Sequence, residues 1–180
     1  MDEEILKLDG NDALNKILLG ELKEIIYSGN APYIKFILVM TAIEYLGASF
    51  DTFSYHESGH SEDRFNNALK KLFPNKYHGF SNDSNSFYFY ENLRCGLVHQ
   101  FRPKIPEILL TTRNEAIKEG NKHLEKKNGD LYLVLEDFYD DLEKAVKKLI
   151  KMSDKGQTPS NKLTEDFIQV YKSNSGTTSQ

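Results

Sequence analysis

The sequence holds a single cysteine, Cys95, so no internal disulfide can form. A long uncharged apolar run is also missing: the longest, Phe36 to Ile43, ends at Glu44 and is far short of the roughly 20 residues a spanning helix needs. The N-terminal stretch MDEEILKLDG lacks the basic-then-apolar order of a signal peptide. Positive charge is scarce as well. The 23 Lys and Arg against 27 Asp and Glu leave a net charge of −4, which argues against broad coating of a polyanion, because that affinity comes from cations neutralising phosphates. A small local nucleic-acid site is compatible with this balance. Together these absences predict a cytoplasmic protein with no membrane segment.

What is present belongs to one globular domain. The 180 residues are 39% hydrophobic and 28% charged, enough apolar surface to build a core without disulfides or metals. Helical spacing of Leu14, Ile17, Leu18, Leu22, Ile25 and Ile26 predicts a first helix over 11–27, stopped by Ser28-Gly29-Asn30. Pro32 opens a second, nearly all-apolar helix running from Tyr33 to Phe53. Ser61 is a candidate cap for a third, with Phe65, Ala68, Leu69 and Leu72 inward and Pro74 as its stop. The polar stretch 81–85 offers caps for a fourth, over 86–101, ended by Pro103.

Two short apolar runs, 108–110 and 131–135, with Asn128-Gly129 as a turn signal, predict a small β-hairpin. A fifth helix, 136–152, has acids first, lysines last and Phe138, Leu142, Ala145, Val146, Leu149 and Ile150 inward. The expected fold is therefore mainly α: a bundle of about five helices with a hairpin inserted before the last long one. The domain is expected over 1–152. Residues 153–180 are expected as a polar tail with one short helix at 163–171 and a frayed SNSGTTSQ end.

The functional question concentrates on ENLRCGLVHQ, residues 91–100. Arg94 and His99 stand five positions apart, about 140° around a regular helix and about 7.5 Å along it. They converge on one ligand only if the helix bends or ends between them, which Gly96 permits and Pro103 encourages, or if a second copy of the chain supplies one of them. Arginine offers a planar, permanently charged fork to phosphate, and imidazole can take and return a proton near neutral pH. Those two functions are what RNA cleavage without a metal requires.

At these residues the sequence resembles the HEPN superfamily (higher eukaryote and prokaryote nucleotide-binding domains), whose signature is Arg, four to six residues, then His near a helix end. Arg94-Cys95-Gly96-Leu97-Val98-His99 fits the four-residue version. The resemblance implies an all-α bundle, usually a homodimer, with the Arg/His site at the dimer interface. It also implies a metal-independent endoribonuclease of toxin–antitoxin, defence or RNA-processing systems, with RNA or a nucleotide as ligand and an antitoxin-like protein as a partner. Arg94 and His99 would be catalytic, Glu44, Asn92 and Cys95 supporting, and Arg102 and Lys104 phosphate-binding; no metal and no cofactor are expected. Active members commonly carry Asn, Asp or His after the arginine, where this chain has Cys95. A catalytically silent nucleotide-binding or interaction module on the same fold is the alternative.

Plainer readings stand beside these. Arg94 would serve equally as an ion-pair partner for Glu44, an acid inside an apolar helix. His99 would serve to satisfy terminal carbonyls. Cys95 reads as a small buried hydrophobe. His56-Glu57-Ser58-Gly59-His60 matches HExxH in letters, but Ser58-Gly59 belongs to a turn and the pattern needs a helix. Phe87, Tyr88, Phe89 and Tyr90 are candidate base-stacking groups, or core. Lys122, Lys126 and Lys127 read as a solvated hairpin tip, and His78 and His123 have no partner that spacing identifies.

Overall fold

Apolar residues recurring every three to four positions decide where the helices form and which way they face. In a computed structural model that describes residues 5–159, 162–165 and 167–171, the chain is mainly α-helical. In order it runs β1 (Ile5–Asp9), α1 (10–27), α2 (Pro32–Gly47), α3 (Ser61–Lys71), α4 (90–100), β2 (Ile108–Thr111), α5 (Arg113–Glu119), β3 (Lys126–Lys127), β4 (Asp130–Val134), α6 (Leu135–Asp154), α7 (Lys162–Glu165) and β5 (Phe167–Tyr171).

α2 is the centre. Phe36, Val39, Met40, Ile43 and Leu46 are wholly buried, under Leu14 and Leu18 of α1, Phe65 and Leu69 of α3 and the Phe138, Leu142, Val146 and Leu149 stripe of α6. Each such side chain contributes about 1.5–3 kcal/mol on leaving water. A turn of 3-10 helix, Ala48–Phe50, extends α2. By length and composition alone residues 32–50, which continue through Glu44, could cross a bilayer, a test that a buried core helix also passes. Of that window, 56% is buried inside the fold.

The five expected helices all occur, with altered ends. The N-cap of α3 falls on His60 with no side-chain cap, and Ser61 is the first helical residue. α4 starts later than 86, because Asn82 and Asn85 spend their side chains on the local amides of Ser84 and Phe87. π-helical turns replace α geometry over Leu14–Glu21 in α1 and Tyr90–Cys95 in α4. Tyr139 of α6 donates to the carbonyl of Leu18 in the first of these, at 2.7 Å.

The expected hairpin between 108–110 and 131–135 is not formed. β2 and β4 pair in parallel, Ile108 opposite Leu131, and the hairpin belongs to β3 and β4 around Asn128 (φ 56°) and Gly129 (φ 95°). The reason is the connection: a parallel pair needs a crossover of a dozen residues or more, and α5 supplies it. Thr112 caps α5 by accepting from the Glu115 amide at 3.4 Å.

The short helix expected over 163–171 is corrected too. Only 162–165 is helical, and 167–171 forms a strand antiparallel to β1, Ile5 opposite Tyr171. The described part of the expected polar tail therefore packs back on the domain. Leu163 is buried against Gly10, and Lys162 donates to the Ala48 carbonyl at 2.8 Å and ion-pairs with Asp51. The SNSGTTSQ end lies outside the described residues.

Candidate functional site: an arginine–histidine pair at the end of α4

Arg94 and His99 meet within one chain. Arg94 Nη1 lies 3.4 Å from His99 Nε2, and the imidazole is solvent-exposed. A regular helix would hold the two on different faces; the π winding over Tyr90–Cys95 gives way to α geometry over Gly96–Gln100, so it narrows the offset only slightly and the long arginine side chain, held from the α2 side, closes most of it. Such wide turns are frequent at functional sites. No second copy is needed to bring these groups together.

The reversal after His99 completes the setting. Phe101 takes the left-handed conformation (φ 56°) that ends helices, and its amide closes on the Leu97 carbonyl at 3.1 Å. The chain then folds back over Gly96. A Cβ there would come 2.5 Å from the Arg102 carbonyl oxygen and 2.7 Å from the Lys104 amide nitrogen, so only glycine admits the return.

Glu44 of α2 fixes the guanidinium from the other side, 2.6 Å from Arg94 Nη2. The contact is ionic rather than an aligned hydrogen bond: Glu44 Oε2 has no aligned donor, and Arg94 Nε is buried without a partner among the described residues. Arg94 also lies over the Tyr90 ring, 5.7 Å from its centroid. Burial pushes the Tyr90 hydroxyl up to about 12, with the adjacent Cys95 thiol adding to the rise and Arg94 opposing it. Because a guanidinium only donates, its contact with Nε2 requires the neutral tautomer with the proton on Nδ1. In that arrangement the single Nε2 lone pair is engaged by the guanidinium and is available to a ligand only when the contact opens.

The other expected residues divide. Asn92 does not reach the pair: its side chain donates to the Ser86 carbonyl at 3.1 Å, and its carbonyl accepts from the Lys104 amide at 2.8 Å, so it braces the reversal. Cys95 is buried, as a small hydrophobe would be, with its thiol toward Tyr90. Lys104 is not a free phosphate ligand, because Glu91 pairs with it and raises its pKa through that hydrogen bond. Arg102 is exposed, and its guanidinium has no partner among the described residues. Phe87, Tyr88 and Phe89 are buried and cannot stack bases; Tyr88 instead donates to Glu62 at 2.6 Å. Tyr90 is the member sequence reasoning left among the aromatics, although its place four residues before Arg94 on a helix signals the contact.

The histidines of HExxH sit in a loop, where His60 stacks on Phe53 at 3.7 Å and meets Glu57 at 3.5 Å. His123, without a partner by spacing, is bound on both sides. It accepts from the Val134 amide at Nδ1 (3.0 Å), so Nε2 carries the proton to Tyr77 (2.6 Å), whose hydroxyl donates to Asp141 (2.9 Å).

No protein-family model, curated protein or solved structure matches this chain.

Proposed function

We propose that the chain is a HEPN-like, metal-independent endoribonuclease acting through Arg94 and His99. The observation that carries the reading is the 3.4 Å contact between a guanidinium anchored by Glu44 and an exposed imidazole. A phosphate diester entering the site takes the guanidinium and frees Nε2. His99 then removes the proton of the 2′-OH, the 2′-oxygen attacks phosphorus, and the 5′-oxygen leaves with the proton His99 returns. Arg94 stabilises the charge that builds on the phosphoryl oxygens, and Glu44 holds it in place. The products are a 2′,3′-cyclic phosphate and a free 5′-hydroxyl.

The test is incubation of single-stranded RNA with the full chain in excess chelator. Cleavage leaving cyclic-phosphate ends, abolished by His99→Ala, is expected; intact RNA with the wild type contradicts the reading. The resemblance brings a homodimer and an antitoxin-like partner into the proposal. An apolar cleft of about 310 Å³ between α1 and α2, lined by Ile17, Leu22, Ile25, Leu38 and Tyr45, is surface that such an interface would bury.

One observation favours a second reading, a catalytically silent nucleotide-binding or interaction module. The position after the arginine points Cys95 into the protein, leaving no polar helper there. Retained nucleotide binding with no cleavage would select it.

A further inference from the structure

We propose that the groove between the start of α2 and the segment following α4 binds an unpaired nucleotide of single-stranded RNA, flanking the phosphate held at Arg94; the inference rests on the nuclease reading above. The groove encloses about 540 Å³ and is lined by Tyr33, Arg102, Lys104, Ile105, Pro106 and Leu109 among others. That volume is in the range of small-ligand sites, and the lining combines an apolar floor, a flat aromatic and cations.

Charge selects the ligand. Of the four arginines, Arg64 is held by Asp51, Arg94 by Glu44, and Arg113 by Asp137 and Asp140. Arg102 alone has no partner among the described residues, and Lys104 beside it is neutralised by Glu91. The groove therefore offers one uncommitted planar fork, the geometry that suits one phosphate. Closing this face against a second copy would bury that charge unpaired, which is strongly unfavourable.

Placement selects the nucleotide. Tyr33 and Glu44 are eleven residues apart on α2, so they fall within about 20° of one another around the helix and about 16 Å apart along it. Arg94 meets Glu44 at one end of this line, and Arg102 shares the groove with Tyr33 at the other. α4 and its reversal thus run antiparallel to α2, and a strand laid along the line meets the cleavage pair and then the groove. Tyr33 is 47% exposed, leaving its ring open to a base. Only an unpaired base can use it, since a duplex keeps its base faces stacked.

The experiment measures binding of a fluorescent single-stranded oligoribonucleotide, and of the same sequence as a duplex, to full-length His99→Ala protein, which keeps the RNA intact. The single strand is expected to bind better. Adding Tyr33→Ala is expected to weaken it about tenfold or more. Adding Arg102→Gln is expected to lower the slope of log affinity against log salt by about 0.7. Both side chains are exposed, and circular dichroism checks the fold. Single-strand binding that neither change affects overturns the groove while leaving the Arg94–His99 reading standing, as does a preference for duplex. A change in molecular mass on Tyr33→Ala with RNA affinity unchanged assigns the face to a second copy and overturns it too. If neither RNA binds, groove and nuclease reading fall together.

Discussion

At the scale of single residues the account turns on how one guanidinium is held. Arg94 is clamped by Glu44 at 2.6 Å and backed by the Tyr90 ring, with its Nη1 toward His99. Removing the carboxylate charge leaves a partly buried cation without its counter-ion and free to swing. Glu44→Gln is expected to slow single-turnover RNA cleavage about ten- to hundredfold, the worth of one charge-assisted contact of about 1.5–3 kcal/mol, with little change in RNA affinity. A variant that cleaves at the wild-type rate would assign Glu44 to structure alone. The meeting of Glu44 with Arg94 was legible in the sequence, because an acid inside an apolar helix demands a partner. The partners of His123 were not, since Tyr77 and Asp141 come from distant segments and no local pattern links them.

Among the elements, α4 and its reversal are where local rules are broken. Phe101 occupies a left-handed position that glycine prefers, and its ring is 65% exposed, so the strain is not offset by burial. Phe101→Gly is expected to raise stability by about 0.5–1 kcal/mol, read as a higher melting temperature. Gly96→Ala should do the reverse by about 1–3 kcal/mol, since its Cβ has to push back the Arg102 and Lys104 backbone. If Phe101→Gly is destabilising, the ring makes contacts that its exposure does not suggest. Helix positions followed from the apolar period in every long element. Strand pairing did not, because periodicity marks a strand without naming its neighbour; yet Thr112-Arg113-Asn114-Glu115 carries a capping pattern that announces α5 and rules out the long hairpin. The π turns over Tyr90–Cys95 left no signal in composition, and neither did the reach of the Arg94 side chain to His99.

For the molecule as a whole, the acid limb of stability belongs to His123. Burial, aided by Lys76, lowers its pKa from 6.5 to about 4. Between those values the unfolded chain binds the proton and the folded one does not, so its contribution is full above pH 6.5 and falls as pH drops to about 4. The loss is on the order of 3 kcal/mol. Burial is the largest single influence on Asp51, Asp140 and Asp141 and would raise each, but several hydrogen bonds and cations together, led by Arg64, Tyr27 and Lys76 respectively, outweigh it and hold the carboxyls below their ordinary value; their losses follow at lower pH. His123→Gln, which can keep both hydrogen bonds without titrating, is expected to flatten stability against pH over the upper window in urea unfolding. An unchanged slope would place the acid sensitivity elsewhere.

The same fold exposes the imidazole of His99 while anchoring its arginine, and the nuclease reading follows from that division. The most direct measurement compares cleavage of an all-ribose oligonucleotide with its 2′-O-methyl counterpart in excess chelator. The account predicts cuts bearing 2′,3′-cyclic phosphate in the first, none in the second, and none in either with His99→Ala. Equal cutting of both strands, or cutting that survives loss of the histidine, would contradict it.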